Sequence, residues 1–318
     1  MPPAPWETEL PVAQAGMGGG ISGHELAAAV SEAGGLGTIA ASGPGEIERE
    51  LAAARRLTAK PIAVNVLLPF ARRSWFRAAA AADVVVTFWG APRRRTPGTW
   101  LHQAGSPAEA RAAFAAGASG VIVQGVEAGG HVRGALPALE LLERTRRVVP
   151  PGFPLLVAGG IAEAADVQRA LEAGARGVVC GTRFLMASES RAHPAYKARV
   201  AEAAETVLTD LFGFGWPARH RVVPNAAVRH WASAGRRSRA VNRLIAGVSG
   251  AGARFTPARV QGRLAAAQRP EGRLLSPFPP TTGGPARLVD AGPLYAGETA
   301  RRIGDIRDAA ELVAALVP

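Results

Sequence analysis

The stretch at residues 154–182, PLLVAGGIAEAADVQRALEAGARGVVCGT, contains one complete repeat of the fold. Its two apolar runs, 154–158 and 177–180, have no polar face, which is typical of strands buried on both sides of a parallel sheet. Gly174 lies where the intervening helix ends, because glycine readily adopts the left-handed conformation that terminates helices. The stretch therefore predicts a strand, a helix and a second, parallel strand.

The same alternation of apolar runs and alanine-rich helical stretches extends over residues 10–190. The other predicted strands are 11–15, 36–40, 61–67, 83–89, 99–103 and 120–124. Eight buried strands separated by helices predict an α/β fold of the (β/α)8 TIM-barrel type. The link at 90–98 is short and contains prolines and glycine, so we expect the fourth helix to be reduced to a loop.

The chain of 318 residues is long enough for one barrel with an appended segment. Its composition becomes richer in arginine and aromatic residues towards the C-terminal part. We expect a barrel at 1–193, a helical segment at 194–285 that caps the barrel mouth, and a segment at 286–318 that packs back on the barrel. Apolar residues recur at helical spacing in the last segment: Ile303, Ile306, Ala310, Val313 and Leu316.

A net charge of +12 raises the hypothesis of a nucleic-acid-binding protein on a degenerate barrel. The densest basic clusters, 93–95 and 236–239, have no interleaved aromatic residues on which bases could stack. No membrane span or secretory signal is evident, and Cys180 is the only cysteine of the sequence. Composition therefore favours a cytoplasmic protein without disulfides and without nucleic-acid or membrane partners.

Three glycine clusters follow predicted strands, at the end of the barrel where active sites lie. Residues 16–23 contain a formal G-x-G-x-x-G, but no acidic residue closes the second strand as a dinucleotide site requires. Residues 159–160 and 180–183 follow the last two strands, where barrels often bind phosphate through backbone N–H groups. Both pairs together favour a phosphate site over two tight turns.

The remaining cluster, residues 124–131, delivers His131 to the mouth after two glycines. An imidazole has an ordinary pKa of about 6.5 and exchanges protons near neutrality, so His131 is a candidate base. A histidine on an exposed loop is the alternative. His102 could also face the mouth, and Cys180 is better interpreted as a small buried residue than as a nucleophile. No Cys/His spacing indicates a metal site.

The sequence resembles the nitronate monooxygenase family in four stretches and in the order of these stretches along the chain. They are residues 11–41, EAGGH at 127–131, AGGI at 158–161 and GTRF at 181–184. With the segments 206–219 and 295–306, the resemblance covers nearly the whole chain. It implies an FMN-binding barrel that oxidises alkyl nitronates with O2 to a carbonyl compound and nitrite. His131 matches the family's catalytic histidine, which acts as a base towards neutral nitroalkanes or orients an anionic nitronate. The implied cofactor-binding residues are Met17, Gly18, Asn65, Gln124, Gly129, Gly159, Gly160, Cys180, Gly181 and Thr182.

Besides the missing fourth helix, which is unusual in the family and would open the site beside the fourth strand, this sequence departs from the family pattern at two places. Ala15-Gly16-Met17 stands where the family usually has Ala-Pro-Met, so we expect a more flexible first loop. Two residues, Val132 and Arg133, separate His131 from the next glycine where many members have one, and Arg133 is a candidate electrostatic aid. Both departures affect the expected substrate specificity more than flavin binding.

The same loops also resemble flavin-dependent NAD(P)H reductases that act on quinones or enoyl-thioesters. Because one fold supports several reactions, nitronate oxidation and NAD(P)H-dependent reduction both stay open at this point. We expect a small-molecule substrate and O2 as partners, with a homodimer as one candidate assembly.

Overall fold

A computed structural model describes Trp6 and residues 8–213, 216, 218–232 and 265–318. The barrel strands are β1 (Val12–Gln14), β2 (Gly37–Ala40), β3 (Ile62–Leu67), β4 (Val84–Phe88), β5 (Thr99–Ala104), β6 (Gly120–Gln124), β8 (Leu155–Ala158) and β9 (Gly177–Cys180). All eight coincide with predicted strands to within one residue at either end. Three short strands, β7 (Gly130–His131), β10 (Val207–Thr209) and β11 (His220–Val222), form a separate sheet.

Helices alternate with the barrel strands along most of the chain. They are α1 (His24–Glu32), α2 (Pro44–Leu57), α3 (Arg73–Ala79), α4 (Pro107–Ala115), α5 (Ala138–Arg146), α6 (Ala164–Glu172), α7 (Thr182–Leu185), α8 (Pro194–Ala201), α9 (Ala226–Ala232), α10 (Leu288–Ala291) and α11 (Ala309–Leu316). A 3-10 turn spans Glu298–Arg302. Within the described residues, no helix is long and apolar enough to cross a membrane.

The eight parallel strands close into a barrel. Their hydrogen-bonded order is β1-β9-β8-β6-β5-β4-β3-β2, and the two ends of this order meet. Leu36 N–H donates to Val12 O (3.0 Å) and Gln14 N–H donates to Leu36 O (2.9 Å). The predicted TIM barrel is therefore confirmed, and the carboxyl ends of all eight strands face one rim, which we call the mouth.

The barrel interior is filled by apolar side chains rather than by solvent. Strands of this fold point alternate residues inward. The buried inward cluster contains Trp6, Ala13, Leu36, Ala63, Val84, Val86, Leu101, Ile122, Leu156, Ala158 and Val179. Residues of the opposite parity pack against the surrounding helices, so the mouth rests on a rigid, close-packed base.

The link between β4 and β5 contains no helix, as the sequence predicted. Residues 89–98 form neither helix nor strand. Arg94 fastens this link by donating to the carbonyl oxygens of Gly117 (2.8 Å), Pro97 (3.0 Å) and Gly98 (3.2 Å). On the barrel beneath it, the indole N–H of Trp100 donates to Thr87 Oγ1 (2.7 Å). A buried tryptophan thus helps to cover strands that the absent helix would have covered.

The C-terminal segment differs from its prediction. Its α-helix begins at Ala309, and both Ile306 (53% exposed) and Ala310 lie outside the buried face. Before this helix, Arg183, a residue far along the chain, donates from Nη1 to Asp305 Oδ1 (2.7 Å), where helical spacing alone would have placed a helical residue. The buried residues of α11 join the main core with Leu26 and Val30 of α1; they are Ala309, Leu312, Val313 and Leu316.

The segment expected to be a helical cap contains strands as well as helices. Its described part includes β10 and β11, which the sequence analysis did not predict. The basic cluster at 236–239 lies outside the described residues.

Gly37 allows α1 to lie directly against β2. A Cβ atom added at Gly37 would be 1.8 Å from the carbonyl oxygen of Ala27, a contact with rigid backbone. We expect Gly37→Ala to lower the free energy of unfolding by about 3 kcal/mol, near the upper end of overpacking costs. Gly98→Ala is the matched control, because a Cβ there meets nothing within 4 Å. Equal melting temperatures for the two variants in thermal unfolding would contradict this packing argument.

Candidate active site

His131 lies on the small sheet that covers the mouth. Its strand β7 follows β6 and pairs antiparallel with β11, placing His131 opposite His220. Val132 N–H donates to Arg219 O (2.8 Å) and continues this pairing. The sheet therefore joins the loop after β6 to the segment around residue 220, two parts of the chain that are far apart in sequence.

Aromatic rings surround the His131 imidazole. It stacks on Trp216, with 4.0 Å between ring centroids and 28° between planes. Tyr295, His220 and Trp89 follow at centroid distances of 5.3, 5.4 and 6.3 Å. The residue as a whole is half-buried, but its Nε2 atom is buried and has no hydrogen-bond partner among the described residues. The alternative of an exposed loop histidine does not describe this environment.

Burial determines the protonation of His131. Burial lowers the pKa of His131 well below its ordinary value of 6.5, and the neighbouring His220 adds to the effect. The imidazole is therefore neutral at neutral pH. A neutral imidazole with an unpaired nitrogen is the form that can accept a proton.

The two other polar rings of this cluster have their polar atoms occupied. His220 Nδ1 lies 2.9 Å from Ala218 O, and its Nε2 accepts the N–H of Phe212 (3.2 Å), which assigns the Nδ1–H tautomer. Burial lowers the pKa of His220 to about 4. The Tyr295 hydroxyl donates to Pro277 O (2.9 Å), and burial raises its pKa. His220 and Tyr295 therefore pack near His131, but their polar atoms are already hydrogen-bonded, unlike Nε2 of His131.

Gln124, the last residue of β6, holds the loop that carries His131. Its Nε2 donates to His131 O (2.9 Å), and its Oε1 accepts the N–H of Arg133 (3.0 Å). Both polar ends of this buried amide are thereby used on either side of the histidine. The family resemblance implies Gln124 as a cofactor contact, and this stays a prediction; the structure shows that its amide also fixes the backbone of the candidate base.

Arg133 does not extend towards His131. Its Nε donates to both carboxylate oxygens of Glu109 (2.6 and 2.7 Å), and its guanidinium carbon lies 5.5 Å from the centre of the Trp89 ring. Burial alone would raise the pKa of Glu109, but the nearby His102 and the hydrogen bonds from Arg133 and Gly105 N–H outweigh it and lower the pKa. Arg133 therefore acts on Trp89 rather than directly on the base.

His102 does not face the mouth, contrary to one suggestion from the sequence. Leu101 points into the barrel, so His102 points to the outside of β5, where Nδ1 lies 2.9 Å from Thr87 Oγ1. Cys180 also points outward, into the core between the sheet and the helices, where burial raises the pKa of its thiol. Neither side chain reaches the mouth, so only the backbone of Cys180 could contact a cofactor.

The first glycine loop forms one wall of the mouth. Met17 N–H donates to Ser22 Oγ (3.0 Å), and Asn65 Nδ2 donates to Gly16 O (3.3 Å). A Cβ at Gly16 would lie 2.4 Å from the Asn65 Cβ, whereas a Cβ at Gly18 would meet nothing within 4 Å. Gly16 is thus explained by its close approach to Asn65, and Gly18 leaves open space above the loop.

The loops after β8 and β9 present unpaired backbone donors. Gly159 and Gly160 have positive φ angles of 108° and 78°, which favour glycine. Among the described residues, the N–H groups of Gly160, Gly181 and Thr182 donate no hydrogen bond. A Cβ at Gly181 would meet only the Cβ of Ala15, at 3.8 Å. Convergent N–H groups with space before them suit an anionic group such as a phosphate.

The segment at 295–302 closes the back of the site. Gly297 N–H donates to Thr182 Oγ1 (2.9 Å), and Glu298 N–H donates to Glu127 O (3.0 Å). Arg302 Nη2 donates to Gly160 O (3.2 Å). Gly129 permits this arrangement, since a Cβ there would lie 2.5 Å from Gly297 N. The 295–302 segment therefore connects three loops of the mouth.

Sequence reasoning identified His131 and the glycine loops but missed the rings around the histidine. The missed residues are Trp89, Trp216, His220 and Tyr295. Trp216 and Tyr295 fall within stretches that resemble the family, which was a usable signal. Trp89 and His220 had no such signal, because their proximity to His131 depends on long-range contacts.

Comparisons with known proteins agree with this geometry. The family model described as nitronate monooxygenase matches residues 5–89 and 93–318. An octahydro-indene-carboxyl-CoA dehydrogenase of Mycobacterium tuberculosis is 32% identical over 72% of this chain and 67% of its own length. A nitronate monooxygenase of Pseudomonas aeruginosa is 34% identical over 63% of this chain and 74% of its own length.

A solved structure is similar over almost the whole fold. Nitroalkane oxidase from Streptomyces ansochromogenes has a TM-score of 0.73 and 28% identity, covering 97% of this chain and 95% of that one. The family match extends well beyond half of the chain and, between its two ends, leaves out only residues 90–92 in the link after β4. The chain therefore belongs to the nitronate monooxygenase family.

Proposed function

We propose that the protein oxidises alkyl nitronates with O2 to a carbonyl compound and nitrite, using FMN. The observation that carries this proposal is the buried, unpaired Nε2 of His131 at the mouth of the barrel. Support comes from the family, whose members generally depend on a flavin, and from relatives named nitronate monooxygenase and nitroalkane oxidase.

The residues of the mouth fit FMN. The unpaired N–H groups of Gly160, Gly181 and Thr182 would hold its phosphate. The open space above Gly18, with Met17 and Asn65 beside it, would receive the flat ring. When bound, FMN supplies the acceptor for the two electrons that leave the substrate.

His131 would move the proton in this reaction. Its neutral imidazole takes the proton from the carbon next to the nitro group of a neutral nitroalkane. An anionic nitronate needs no such step, and the neutral imidazole, as its Nε2–H tautomer, then orients it by donating a hydrogen bond to a nitronate oxygen. The surrounding rings exclude water, which keeps the base unsolvated. Gln124 holds the backbone of this base in place.

NAD(P)H-dependent reduction of a quinone or an enoyl-thioester by the same flavin is the second candidate function. The relative from Mycobacterium tuberculosis supports a CoA thioester as a substrate of this second candidate, because its name describes a dehydrogenase of a carboxyl-CoA compound. Either reaction is compatible with the proposed division of the chain into a barrel at 1–193, a cap-like segment at 194–285 and a C-terminal segment at 286–318. Either reaction is also compatible with the proposed homodimer.

The visible absorption spectrum tests the cofactor and the reaction together. We expect the purified protein to show flavin bands, which anaerobic addition of a nitronate bleaches and NADH or NADPH does not. Bleaching by the nicotinamide alone would replace the proposed reaction with the reductase. The absence of a bound flavin after FMN has been supplied would remove the cofactor assignment.

His131→Ala is expected to retain FMN and to oxidise neutral nitroalkanes at least about 100-fold more slowly, as loss of a general base does. The rate of oxidation of preformed nitronates should fall by a smaller factor, because these substrates need no deprotonation. Initial rates of oxygen consumption with both substrate forms measure the difference. His230→Ala, on α9, is the control. Equal losses for nitroalkane and nitronate would argue against His131 as the base.

Gln124→Met removes both hydrogen bonds to the His131 loop and keeps the size of the side chain. We expect kcat/KM to fall roughly 10- to 100-fold, as small misplacements of catalytic groups do. Water that reaches the loosened His131 would raise its pKa towards about 6.5, so the acid limb of the pH–rate profile should move to higher pH. A lower rate with an unmoved acid limb would contradict this positioning role.

A further inference from the structure

Trp89 has a backbone conformation that a tryptophan rarely adopts. Its φ is +65°, and among the described residues it is the only one other than glycine with a positive φ. A bulky side chain in this region is strained, and such strain persists only where the surrounding structure enforces it. Residues of this kind occur preferentially at functional sites, and Trp89 directly follows the mouth end of β4.

Contacts on several sides hold the Trp89 ring in this position. Phe88 and Trp216 meet it edge to face at centroid distances of 5.5 and 5.1 Å. The Arg133 guanidinium lies over the ring and is itself held by the buried carboxylate of Glu109. The next residue, Gly90, has a φ of +150° and packs against Leu68. The strain therefore serves to keep this indole at one place.

That place is the side of the mouth next to β4. The fourth helix is absent there, and residues 89–98 form neither helix nor strand. The Trp89 ring, 6.3 Å from that of His131, closes this side. Trp216 and Tyr295 occupy other sides of the imidazole. These side chains limit the space for a substrate beside His131. Among them, Trp89 is held in place by its strained backbone and by the contact of its ring with the Arg133 guanidinium.

We propose that Trp89 determines substrate size at this site, excluding bulky groups from the β4 side of His131 and favouring small, unbranched nitronates. This proposal rests on the proposed function for the identity of the substrates. Arg133 contributes as a positioning residue, because it acts on the substrate through the Trp89 ring. Contacts of this kind discriminate between substrates by about 10- to 200-fold for one methylene group.

The test compares the nitronates of nitroethane and phenylnitromethane by kcat/KM for oxygen consumption. In Trp89→Ala we expect the ratio of the larger to the smaller substrate to rise at least 10-fold. Trp89→Gly should do the same without backbone strain, which covers failure of the alanine variant to fold. Trp75→Ala removes a partly buried tryptophan from α3 on the outside of the barrel and should leave the ratio unchanged.

Arg133→Met keeps the length of the side chain but removes the charge over the indole. We expect it to shift the ratio in the same direction as Trp89→Ala, by a smaller factor. A loss of activity in the Trp89 variants that is equal for both nitronates would overturn the proposal, because a gain for the larger substrate is its defining result.

Anaerobic calorimetric titration with the same two nitronates separates this proposal from the proposed function. Trp89→Ala could gain affinity selectively for phenylnitromethane nitronate while neither the wild-type protein nor the variant turns over either nitronate. That result would overturn the proposed function and support the size restriction. Turnover with unchanged selectivity in both affinity and kcat/KM would overturn the size restriction alone.

Discussion

The buried amide of Gln14 lies where the barrel closes, and the rest of the structure depends on this closure. Gln14 ends β1, and its Oε1 accepts the N–H of Thr38 in β2 (2.9 Å) while Nε2 donates to Ser22 Oγ (2.9 Å). It thus joins the first and second strands and fixes the first glycine loop. At the end of β6, Gln124 fixes the loop that carries His131. At both strand ends, a buried side-chain amide forms hydrogen bonds with backbone groups that have no partner in the neighbouring strands.

The barrel could be predicted because its information is local. Each buried strand is a short apolar run bounded by glycine, proline or a helix end, and all eight were located this way. The absence of the fourth helix could be predicted from the prolines between Trp89 and Thr99. His131 and the paired glycines could be found because they directly follow strands, and strand order alone places them at one rim.

The finer parts of the site could not be predicted, because they depend on contacts between distant residues. The strands β7, β10 and β11 have two or three residues each and no recognisable period. Arg133 looked like an aid to His131, but Glu109 turns it towards Trp89. The helical spacing of the last segment predicts a helix that includes Ile303 and Ile306, but the α-helix begins at Ala309, and Asp305 before it pairs with the distant Arg183. In each case a partner far along the chain overrides the local pattern.

The segment at 295–302 has a consequence for how the protein forms during synthesis. Its backbone and Arg302 join Thr182, Glu127 and Gly160, and Tyr295 packs on His131. Chains emerge from the ribosome N-terminus first, so the barrel strands, which end at Cys180, are made before the residues that complete its mouth. A nascent barrel therefore exists for a time with its loops unconnected. Cofactor capture would follow translation of the last part of the chain rather than accompany the folding of the strands.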